Sequence, residues 1–145
     1  MASPDDDNVI ANACESKVYN VASEVRFRDK FWIKAQPYSI VDMLANDPLA
    51  PQFNGGTVYQ AFLSALSYHR WHSPVSGVIK KAYVVDGTYF SEPLLPGHDG
   101  ALSQSIATEG ISMAQGYLTA LATRAIIFIE ADNPAIGLMV FVGIG

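Results

Sequence analysis

Apolar residues in this chain fall in short blocks, and proline, glycine, asparagine and aspartate punctuate them. Most blocks have the length of a strand. Val18, Tyr19 and Val21 predict one strand within residues 12–23, and Phe31-Trp32-Ile33 predicts another. Ser39 opens a helical pattern, with apolar Ile40, Val41, Met43 and Leu44 after it. Ser39 reads as the N-cap and Asp42 as a weak capping-box partner. Asn46-Asp47-Pro48 ends the pattern, because proline cannot continue a helix and restricts the residue before it. Residues 51–56 read as a loop closed by the turn Asn54-Gly55-Gly56, and residues 57–63 as the next strand. Residues 78–85 are β-branched and strand-like, and Asp86-Gly87 predicts a turn into Thr88-Tyr89-Phe90. Residues 91–110 read as a long surface loop and residues 113–123 as a short helix weakened by Gly116. Ile126–Ile129 and residues 137–142 are apolar enough to be strands buried on both faces or stacked in a sandwich, joined across Asp132-Asn133-Pro134.

The expected fold is therefore α+β and mainly β. Short antiparallel strands would pack as a sandwich or barrel-like core, with one or two short helices. A length of 145 residues fits one domain. Residues 1–11 read as a flexible acidic tail and residues 12–145 as the domain. The hydrophobic strand at the C-terminal end, with no polar tail after it, suggests a piece of a longer protein.

Charge and cysteine content exclude several classes. Nine Lys and Arg against fourteen Asp and Glu give a net charge of -5, the wrong sign for neutralising nucleic-acid phosphates. A single cysteine, Cys14, excludes an internal disulfide framework and a cysteine zinc site, and fits a reducing, cytoplasmic setting. A packed thiol is the commoner role for such a residue than a nucleophile. No apolar run approaches the roughly 20 residues of a membrane-spanning helix. The Asp5-Asp6-Asp7 run is not a signal peptide, and it lacks the alternate spacing of a calcium loop.

Candidate chemistry gathers in Tyr68-His69-Arg70-Trp71-His72-Ser73-Pro74-Val75-Ser76-Gly77, which holds two of the three histidines. Imidazole is the side chain that exchanges protons near neutrality. Three readings stand side by side: structural histidines at a strand end, a metal pair, and proton transfer. The metal reading lacks a third ligand at convincing spacing, since His98-Asp99 is near only in sequence. Proton transfer requires a partner that fixes the imidazole tautomer.

Tyr-His-Arg-aromatic-His-Ser-Pro-x-x-Gly resembles the signature of the phosphatidylserine decarboxylase family. Further segments resemble that family in the same order: Gly87-Thr88-Tyr89-Phe90-Ser91, Arg124-Ala125-Ile126-Ile127-Phe128-Ile129-Glu130, and the apolar strand ending at Val142-Gly143. Within the family the chain is most similar to a fungal branch that decarboxylates soluble amino acids, tryptophan decarboxylases among them. That likeness rests on Ala13-Cys14-Glu15-Ser16, Asn46-Asp47-Pro48 with Pro51-Gln52-Phe53, Tyr68–His72, and Phe128–Asn133.

The resemblance implies a carboxy-lyase made as a zymogen. Such a proenzyme cuts itself at a Gly-Ser-Ser or Gly-Ser-Thr motif, and the serine becomes a pyruvoyl group that forms a Schiff base with the substrate amine. Neither a metal nor pyridoxal phosphate is implied. Carried over by position, His72 activates the serine, His69 serves as acid/base in decarboxylation, and Glu15 orients His72. The wider family has Asp in a Ser-Pro-x-Asp-Gly segment where this chain reads Asn12-Ala13-Cys14-Glu15-Ser16, so the carboxylate is one methylene longer. No Gly-Ser-Ser or Gly-Ser-Thr occurs in these 145 residues. The expected partners are an amino-acid substrate and a C-terminal α-chain segment that carries the motif, with a homo-oligomer as a candidate. Nothing here is basic and amphipathic enough to hold a membrane surface. Trp71, Tyr89 and Phe90 are candidates for an aromatic substrate wall, against the commoner core role. Arg124 either holds a substrate carboxylate or anchors the strand after it. Gly77 is expected to serve the turn through a positive φ. The alternative to an enzyme is a truncated, non-catalytic family member that acts as a binding module.

Overall fold

The computed structural model describes Ser3 and residues 5–28, 38–63, 67–88 and 121–144. Over those residues it is mainly β, with two small antiparallel sheets and a single helical turn of α type. Strands β1 (Lys17–Val25) and β2 (Gly56–Phe62) pair with each other. Strands β3 (Gly77–Val85), β4 (Arg124–Ala131) and β5 (Leu138–Ile144) form the second sheet in that order. The expected strand at 31–33, the loop at 91–110 and most of the helix at 113–123 lie outside the described residues. The chain divides into two compact units, the first comprising Met1–Ala22, Val58–Val84 and Ala125–Gly143, and the second Ser23–Thr57, Val85–Arg124 and Ile144–Gly145.

In the first unit, β4 runs between β3 and β5, so its apolar residues are covered best. Ile126 and Phe128 are fully buried, and Ile129 and Ala131 nearly so. Val75 packs with Ile129 and Ala131, and Ile127, Ile136 and Met139 close around them. Tyr83 stacks on Phe128 with ring centroids 6.5 Å apart. β5 is half-buried rather than enclosed, as expected for an outer strand. Gly77 has a different role from the one its turn suggested. A Cβ there would collide with the Glu130 carbonyl, so glycine permits close approach to β4 rather than a positive φ.

In the second unit, α1 spans Ile40–Met43 and Ser39 takes the N-cap position with extended backbone. The position is as predicted; the mechanism is not. The Ser39 side chain makes no capping bond, and its Oγ is buried without a hydrogen-bond partner. Ser39→Ala should therefore be neutral or slightly stabilising in urea denaturation, whereas loss of a working cap costs about 1 kcal/mol. The helix ends before its proline. Ala45 and Asn46 have φ of 53° and 58°, and their amides return to Asp42 O at 3.1 Å and Val41 O at 2.8 Å. This is a Schellman end made without glycine. A 3-10 turn at Ala50–Phe53 takes up the first half of the loop expected at 51–56. The turn after it holds the end of β1: Gly55 (φ 79°) donates to Val25 O at 2.8 Å, and Phe27 N donates to Asn54 Oδ1 at 2.9 Å. Among the described residues, Asp86-Gly87 forms no assigned turn. Thr88 forms a parallel bridge with Ala122, and a Cβ on Gly87 would overlap the Leu121 carbonyl.

Candidate active site

The histidine segment lies in the first unit, outside any strand before Gly77, and is fixed at two points. At one end the edge of the Trp71 indole meets the Phe141 ring, with centroids 5.4 Å apart and planes at 70°. The same indole lies on Gly143, where any Cβ would overlap its ring. At the other end Val75 enters the core, and the Ser73 hydroxyl donates to Val75 O at 2.6 Å. Between these anchors His72 is exposed, and His69 is exposed just before them. A rigid scaffold presenting open imidazoles suits groups that must meet a reacting partner. Gly143→Ala should displace the indole and cost about 1–3 kcal/mol, as overpacking does. Thermal and urea unfolding would measure that loss, and an unchanged stability would refute the contact.

The N-terminal stretch lies along this segment. Ala11 N donates to Pro74 O at 2.8 Å and His72 N donates to Ala13 O at 2.9 Å. The main chain thus brings the Cys14-Glu15 turn beside His72, although sequence separates them widely. Glu15 is exposed at that turn, and Cys14 is half-buried there rather than packed in a core. Among the described residues, neither the Glu15 carboxylate nor either imidazole of the motif has a hydrogen-bond or ion-pair partner. Farther back, Asn133 Nδ2 donates to Asp7 O and to Asn8 Oδ1, both at 3.1 Å. Asp6 accepts from the Asn8 amide and from its side chain, and these bonds, the main-chain one first, hold its carboxyl below the usual range.

Arg124 lies in the second unit and is tied into its backbone. Its guanidinium donates to Met43 O, Ala122 O and Asp42 O, each at 2.9 Å, while only 3 % of the residue is exposed. Two of those carbonyls belong to the last turn of α1, so the cation completes the helix end that Ala45 and Asn46 begin. The three bonds tie the first residue of β4 to the end of α1 and to Ala122. Trp71 sets one edge of its ring against Phe141 and Gly143 while the residue stays exposed. Tyr89 and Phe90 lie outside the described residues.

The histidine motif, the pinned carboxylate turn and the Val-Gly strand beneath the tryptophan form one arrangement. The sequence profile described as Phosphatidylserine decarboxylase matches residues 2–145. The chain belongs to the phosphatidylserine decarboxylase family. It is 45% identical over 151 residues to decarboxylase iboD of Amanita muscaria, an alignment covering all of this chain and 43% of that protein. It is 41% identical over 140 residues to an L-tryptophan decarboxylase of Psilocybe cyanescens, covering 97% of this chain and 32% of that protein. A phosphatidylserine decarboxylase proenzyme of Bacillus thuringiensis is 47% identical over 55 residues, 38% of this chain and 21% of that protein. The chain thus spans less than half the length of these curated relatives. What sequence reasoning missed was the packing role of Gly143 and the main-chain link from Ala13 to His72; both need the fold to bring distant segments together.

Proposed function

We propose that this chain is part of a longer proenzyme, and that the proenzyme is a pyruvoyl-dependent decarboxylase acting on an amino acid. The observation that carries the reading is His72, exposed on a doubly anchored segment with its amide bonded to the turn that bears Glu15. The decarboxylase names of the relatives, and the proenzyme name of one of them, support the reaction class. Similarity to a tryptophan decarboxylase over nearly the whole of this chain supports a free L-amino acid, aromatic in kind, over phosphatidylserine.

In this reading His72 takes the proton of an attacking serine hydroxyl, and Glu15 steadies the imidazolium that results. His69, exposed three residues earlier, holds or returns a proton at the substrate. The pyruvoyl group, when present, supplies a carbonyl for the substrate amine and an electron sink for loss of carbon dioxide. The serine that becomes it must come from outside these 145 residues, because they contain no Gly-Ser-Ser or Gly-Ser-Thr. The open face of the histidine segment is compatible with that supply. The same absence favours the second reading, a non-catalytic binding module, should no such serine follow.

Mass spectrometry of the protein expressed from its full reading frame tests this. Two fragments, the C-terminal one blocked by a pyruvoyl group, together with carbon dioxide release from tryptophan, are the expected result. A single intact chain would sink the enzyme reading.

A further inference from the structure

Glu15 sits on a turn closed by the side chains on either side of it. Asn12 Nδ2 donates to Ser16 Oγ at 2.9 Å and to Ser16 O at 3.1 Å, and the Ser16 hydroxyl lies 3.2 Å from Asn12 Oδ1. Ser16 N closes the inner loop on Cys14 O at 2.8 Å. Both clip residues are half-buried while Glu15 between them is exposed. The turn is also moored from outside, by Ala11 N to Pro74 O and by His72 N to Ala13 O. A carboxylate on a flexible exposed loop would lose its orientation to conformational freedom. Here the loop bearing it is cross-braced, and the brace is built from side chains rather than from packing.

We infer that Asn12 and Ser16 are positioning residues, a side-chain clip that sets the reach of the Glu15 carboxylate toward His72. The inference rests on the reading that Glu15 steadies His72 during self-cleavage. A glutamate has one more rotatable bond than an aspartate, so an acid of this length needs its backbone held more firmly to present the same oxygen. The clip supplies that restraint at the two residues flanking the Ala13-Cys14-Glu15 stretch. Neither Asn12 nor Ser16 touches the reacting atoms; each acts through Glu15.

The test is the rate of self-cleavage of the full-length proenzyme, followed on denaturing gels. Asn12→Ala and Ser16→Ala should each slow cutting on the order of tenfold, since small misplacement of a working group is costly. Ser16→Thr keeps the hydroxyl and should cut near the wild-type rate. In a cycle with Glu15→Gln, the double variant Asn12→Ala/Glu15→Gln should cut no more slowly than Glu15→Gln alone. Where Asn12→Ala does not fold, Ser16→Ala, which removes one hydroxyl, carries the same comparison. Wild-type rates in folded Asn12→Ala and Ser16→Ala, or additive losses in the cycle, would overturn the clip while His72 kept its role. Normal cutting by His72→Ala, or no cutting by the wild type, would overturn the reading beneath it.

Discussion

His72→Ala is expected to leave the proposed proenzyme as one uncut band on a denaturing gel, with self-cleavage slowed by about 100- to 10,000-fold, the range for losing a positioned general base. The substitution is clean because the structural bond of His72 is made by its backbone. Its amide donates to Ala13 O, and alanine keeps that amide. The side chain is exposed and fills no core space, so the fold has little reason to respond. The loss is therefore one of chemistry, and circular dichroism of the variant should match the parent. Cutting at the parental rate would remove His72 from the reaction.

The largest effect on stability is expected at Arg124. Arg124→Met fills similar volume but abandons three carbonyls, those of Asp42, Met43 and Ala122. Ala122 and Met43 are themselves buried, so water does not readily replace the lost donors. Leaving a buried carbonyl without its charged donor costs about 1–3 kcal/mol, so the three together are expected to cost about 3–5 kcal/mol. Arg124→Lys should recover little, because a single ammonium cannot span three acceptors that a planar fork reaches together. Urea denaturation of both variants measures this; a loss below about 1 kcal/mol for Arg124→Met would show that the network is not what holds α1.

Local chemistry made the strands legible. β2, β3, β4 and β5 each lie close to where β-branched and aromatic runs between turn residues placed them. The site of α1 was legible too, yet both of its ends work differently from the pattern that located them. Its N-cap serine makes no cap bond, and its C-terminus closes through Ala45, which carries no glycine signal. What sequence could not show was contact between distant segments. Gly77 and Gly87 looked like turn residues because glycine favours turns, but each is required by a backbone that arrives from elsewhere. The Met43 and Asp42 carbonyls that Arg124 holds lie 81 and 82 positions away. The pairing of Glu15 with His72 came from likeness to a family, not from spacing, and the structure bonds the His72 amide to Ala13 O, two residues before Glu15, without joining the two side chains.

The seat of Trp71 has an experimental use. The chain has two tryptophans, and this one rests on Gly143 and Phe141 while 44% of it stays open to water. An indole half in contact with protein and half in solvent changes its emission when that contact is lost. With Trp32 replaced by phenylalanine, the intrinsic fluorescence of the molecule becomes an optical gauge of whether the histidine segment is seated, readable in real time without any label.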